Sequence, residues 1–258
     1  MSKSFARTAL ATAAAALLAL AAMPATAAHV PGTSGNHTEF TVDPSAVGEA
    51  QTSFQARTVN FNYEADVSQD ANGLFSENGL ATLSTFNNPF NNTLSAGLTG
   101  LNLDYEMYAT FAATGTTAPS ADGGLNGTFT SFTISFFVDR DSNTTTTGTT
   151  LGGPMGDDVL VATGSLLFGG FHVDPGFAEG DFAVRVAATP VGGFFSNIPF
   201  LDITGVNTEI TGVGPGAFTG GSIIGSGNVQ AIPEPETYAL MLAGLGALGF
   251  VARRRRRT

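Results

Sequence analysis

Between residues 40 and 230, apolar and polar positions alternate with a period of two rather than 3.6. Val59, Phe61, Tyr63, Ala65 and Val67 interleave with Thr58, Asn60, Asn62 and Glu64. Leu101, Leu103, Tyr105, Met107, Ala109 and Phe111 follow the same pattern, as do two further sets, Phe132 to Val138 and Phe182 to Ala188. Such alternation puts one face of an extended strand in a core and the other in water. Clusters rich in Gly, Asn, Asp, Pro or Thr separate the stretches, at Asn87–Pro89, Thr114–Gly124, Ser142–Gly156 and Pro190–Gly193. They read as turns and loops. No amphipathic helical stretch interrupts them, and no fixed period suggests a propeller or solenoid. The pattern predicts an all-β fold, a single β-sandwich or jelly-roll-like domain. Residues 29–38 read as a lead-in and 226–231 as a short linker.

Both termini break this pattern. Lys3 and Arg7 precede an apolar stretch from Ala9 to Met23, followed by Pro24 and small residues. This is the layout of a secretory signal peptide over residues 1–28, cut by signal peptidase after Ala27 or Ala28. At the other end, a 15-residue apolar run from Tyr238 to Ala252 precedes Arg253, Arg254, Arg255, Arg256 and Arg257. As a helix it reaches about 22 Å, short of the ~30 Å hydrocarbon core. The arginines snorkel and hold the end in the cytoplasm. A marginal span of this kind suits a temporary tether. Gly244, Gly246 and Gly249 spell G-x-G-x-x-G, but no strand, helix and distal acid surround them, so they are small residues of a membrane helix.

Pro233-Glu234-Pro235, the short apolar helix and the terminal arginine cluster, in that order, resemble the PEP-CTERM sorting signal of Gram-negative bacteria. The resemblance implies processing near Pro233-Glu234-Pro235 by exosortase, a membrane-embedded cysteine transpeptidase. It divides the chain into a signal peptide (1–28), an exported body (29–230) and a sorting tail with a transmembrane helix (231–258). Three body segments are similar to flocculation-associated PEP-CTERM proteins: Phe40–Pro44, Phe137 through Thr146, and Asp157–Leu160 before Gly164-Ser165-Leu166. That likeness implies a role in holding cells and exopolysaccharide together.

Composition narrows the chemistry. The chain has no cysteine, which excludes disulfide scaffolds, thiolate zinc sites and cysteine nucleophiles. The body keeps Arg57, Arg140 and Arg185 against nineteen acidic residues, a net −16, which excludes a nucleic-acid partner. Asp139, Asp141 and Asn143 have the spacing that opens a calcium loop. Thr144 and Thr150 stand where an EF-hand needs Gly and Glu, leaving a looser calcium site with Asp157 and Asp158. Cleavage after Ala28 would make His29 the N-terminus, and a terminal-histidine copper site would then need His172 as its distant ligand. No G-x-S-x-G occurs, and spacing singles out no pair of carboxylates. The chain has no tryptophan and only four tyrosines, poor material for sugar-stacking platforms. The expectation is a non-enzymatic exported matrix or adhesion protein without cofactor, calcium apart. It would pause in the inner membrane, reach the cell surface or matrix, and associate with exopolysaccharide. The alternative is a carbohydrate-binding or carbohydrate-active secreted protein.

Overall fold

The computed structural model describes residues 38–232, save Phe177, Pro215, Gly216 and Thr219. Eight long strands dominate: β1 (Thr58–Gln69), β2 (Leu74–Asn87), β3 (Glu106–Pro119), β4 (Leu125–Asp139), β5 (Val159–Val173), β6 (Gly180–Pro190), β7 (Phe200–Ile210) and β8 (Gly221–Ile232). Each pairs antiparallel with the next, and β8 pairs with β1, so the sheet closes into an up-and-down barrel. The expected sandwich is therefore corrected to a barrel. Alternating strands serve both architectures; closure depends on which strands pair and on local twist. Here register shifts at Asn60/Phe61, Thr114/Gly115, Phe136/Phe137, Arg185/Val186 and Asn207/Glu209 bend the strands. Such bulges increase local twist and help a sheet curl onto itself.

The inward positions form an aromatic core in which rings lie against glycines on the neighbouring strand. Phe111 sits opposite Gly79, and Phe171 opposite Gly127. A Cβ at either glycine would come within 2.1 or 2.0 Å of the facing ring. Phe75 with Gly115, Phe182 with Gly205 and Phe61 with Gly227 repeat the arrangement. The outer wall carries Asn62, Asp66 and Ser68 on β1 and Ser76 and Asn78 on β2. Apolar inside and polar outside is the reverse of a membrane barrel.

Both ends are plugged. At one end Phe40–Val42 pairs with Phe54–Ala56 and with Phe195–Ser196. The Phe40 ring packs at 6.5 Å from Phe86 and 5.9 Å from Phe195. At the other end Phe218 lies 5.8 Å from Phe171, and its backbone N–H donates to Gln69 Oε1 at 2.6 Å. Helix among the described residues is confined to single turns at Pro44–Val47 and Ala96–Thr99, neither able to cross a membrane. The stretch from Leu101 to Phe111 is not one strand. Gly100 and Asn102 take left-handed φ values of 78° and 60°, so the chain turns there and β3 starts at Glu106. Leu103 is left exposed.

Candidate functional site

The long connection between β4 and β5, residues 140–158, folds back over the outer wall. Its Thr149 hydroxyl donates to Asp66 on β1. Three carboxylates gather at its neck. Asp139 ends β4 and is 1% exposed, while Asp157 and Asp158 precede β5 and are half-buried. Ligand oxygens of all three lie within 4.8 Å of one another. Asp139 accepts the backbone N–H groups of Asn143 (3.3 Å) and Thr144 (2.8 Å). Asp157 accepts the backbone N–H of Asp141 at 3.2 Å and the Asn143 amide at 3.4 Å. The Tyr108 hydroxyl donates to Asp158 at 2.6 Å. Burial, then that hydrogen bond, push the Tyr108 phenol above its usual range.

The structure thus brings Asp139, Asp157 and Asp158 together, with Asn143 bonded across them. It leaves Asp141 exposed, contributing a backbone N–H rather than its carboxylate. Oxygen ligands sit 2.3–2.6 Å from calcium, so oxygens sharing an ion are at most about 5 Å apart, and this spacing accommodates one. Without a cation the clasp still has donors: two backbone N–H groups to Asp139 and a phenol to Asp158. His172 is engaged elsewhere, with Nε2 3.0 Å from Asp122 and 3.5 Å from Asp174 and Nδ1 2.8 Å from Asn126 Oδ1. His29 lies outside the described residues.

A second feature is a polar groove of about 620 Å³ on the outer wall over β6, β7, β8 and β1. Asn60, Asn228 and Thr204 lie side by side across β1, β8 and β7, and Asn62, Ser226 and Val206 form the adjacent row. Gly205 and Gly227 lie between the rows. The spacing of the Asp residues points to the loop neck. The groove escapes a reading of the sequence, because its rows draw on β1, β7 and β8, with β6 beside them, and meet only once β8 closes on β1. The available signal is the outward phase of Asn60 and Asn62.

The sorting residues Ala27, Ala28, Pro233, Glu234, Pro235 and Arg253 to Arg257 lie outside the described residues. The exit of the chain toward them is described. Residues 226–231 are not a linker: they belong to β8, which continues through Ile232 opposite Phe200. The Thr38 N–H donates to the Ala231 carbonyl at 3.1 Å, so both chain ends leave the barrel side by side. A comparison with protein families matches residues 231–257 to the PEP-CTERM protein-sorting motif. The chain carries a PEP-CTERM sorting signal. The PEP-CTERM motif implies an exported protein, held by a transient C-terminal membrane anchor and processed by exosortase. No curated protein and no solved structure matches the chain.

Proposed function

We propose that this is a non-enzymatic matrix protein that binds exopolysaccharide on the outer wall of its barrel after release from the membrane. The observation that carries the reading is the groove. Its two rows of amides and hydroxyls offer both donors and acceptors to the hydroxyls of a sugar chain. At about 620 Å³ it falls in the size range of ligand clefts. Shape and hydrogen bonding, rather than aromatic stacking, would hold the chain, since the two rings at the groove, Phe61 and Phe182, pack against core rings. The test is retention of floc-derived exopolysaccharide by the exported protein. Asn62→Ala with Asn228→Ala should weaken retention about tenfold, the worth of one or two hydrogen bonds. Equal retention by the variant overturns the reading.

A second reading rests on the loop neck. A body of net −16 repels acidic polysaccharide unless a divalent cation intervenes. Calcium held by Asp139, Asp157 and Asp158 would relieve that repulsion and bridge to uronic acids. Calcium should then raise retention of acidic polysaccharide far more than sodium at matched ionic strength, whereas groove binding of neutral chains should respond equally to both.

A further inference from the structure

Among the described residues, one charged side chain lines the cavity inside the barrel. Glu77 lies on the inward phase of β2, between Phe75 and Gly79, with Val67 of β1 and Ala113 of β3 directly opposite. It is 9% exposed, and among the described residues nothing hydrogen-bonds its carboxyl group. It lines an internal cavity of about 50 Å³ whose walls include Phe75, Phe111 and Phe182. Two other polar side chains reach the same cavity, Tyr63 and Asn207, and the Tyr63 hydroxyl donates to Asn207 Oδ1. Tyr63 is also the other titratable group lining the cavity. Its phenol is pushed up first by burial and then by the Glu77 charge.

We infer that the interior of the barrel is a binding site for a small ammonium cation, recognised by the Glu77 carboxylate, the Tyr63–Asn207 oxygens and the surrounding ring faces. An unpaired carboxylate among phenyl rings is costly to ionise; a cation carrying N–H donors supplies both the charge and the hydrogen bonds it lacks. Aromatic faces add cation–π attraction, which is strongest where water is excluded. Size sets the class. A cavity of roughly 150 Å³ takes benzene, with six heavy atoms, so about 50 Å³ takes roughly two. Methylammonium has two, and tetraethylammonium is far too large. Binding draws on the ionised form of Glu77, whose pKa burial raises to about 7, so affinity rises with pH through the neutral range. This site is separate from the outer groove, and its failure leaves the polysaccharide reading untouched.

The test uses the full-length chain in mild detergent at pH 8, titrated with methylammonium chloride against sodium chloride at equal ionic strength. Thermal unfolding and ¹⁵N-methylammonium line width report binding. A saturable, methylammonium-specific stabilisation is expected, and Glu77→Gln, which keeps the side-chain shape, should weaken it about tenfold or more. Tyr63→Phe should weaken it less while leaving the circular dichroism of the barrel unchanged. No saturable response in the native chain, an equal response from Glu77→Gln, or an equal response to tetraethylammonium each overturns the inference.

Discussion

At Glu77 the period-two alternation places a carboxyl group on the inward face, directly opposite the apolar Val67 and Ala113, and burial raises its pKa from 4.5 to about 7. Below pH 4.5 both folded and unfolded chains hold the proton, and stability is whole. As pH rises from 4.5 to 7 the unfolded chain ionises first, so stability falls. The loss is complete above pH 7 and amounts to about 3 kcal/mol, at 1.36 kcal/mol per pH unit. Glu77→Gln should therefore unfold like the native chain in urea at pH 4 and be about 3 kcal/mol more stable at pH 8. A difference between the two that does not change with pH would mean that the carboxyl is solvated in the folded state. The glycines make the complementary point. A methyl at Gly127 would sit 2.0 Å from the Phe171 ring, so the ring or the strand must shift. Gly127→Ala should cost roughly 1–3 kcal/mol, the usual range for overpacking. Adding Phe171→Leu should return part of that loss, measured by thermal melting of single and double variants.

Between strands, legibility depends on where the information lies. β1 and β6 are readable because their own residues alternate without interruption. The last half of β8, residues 226–231, reads as a linker because Gly225 and Gly227 stand where a strand should show side chains. The rings that fill those places, Tyr63 and Phe61, belong to β1, more than 150 residues earlier in the chain. A local window cannot see them. Closure is hidden for the same reason, since a sandwich and a barrel ask the same alternation of each strand. The loop neck is readable in part. Asp139, Asp157 and Asp158 stand out by residue type, but the turn that points Asp141 outward depends on backbone geometry, with Ser142 at φ 50°. That neck makes its own prediction. It ties the two ends of the 140–158 loop, so loss of Asp139, with its hydrogen bonds to Asn143 and Thr144, should free the loop. Asp139→Ala should bring limited proteolysis to residues 140–158 at rates where the native loop resists. Millimolar calcium should slow cutting of the native chain and not of the variant. Equal protection by sodium would assign the neck to hydrogen bonding alone.

Across the whole molecule, the barrel, its charge and its tail fit a sequence of events. The body carries net −16 and the tail five arginines, so a positive membrane-embedded end holds an acidic, water-facing domain outside. Both chain ends leave together at the end of the barrel plugged by Phe40 and Phe195, where Thr38 pairs with Ala231. The last ladder pair of β8, Ile232 with Phe200, ends one residue before Pro233. Cutting the tail beyond that point removes none of the strand pairing among the described residues, so release leaves the closure of β8 on β1 intact. Replacing Pro233, Glu234 and Pro235 with alanine should therefore abolish release without unfolding the barrel. Alanine also removes the block that proline sets to helix formation at the segment a processing enzyme must reach. Fractionation should find the triple variant in the inner membrane, with the protease resistance of its barrel unchanged. Intact mass of the native exported protein should show loss of Arg253 to Arg257. Release of the triple variant at the native rate, or a mature protein that keeps its arginines, would show that the motif does not direct processing in this chain.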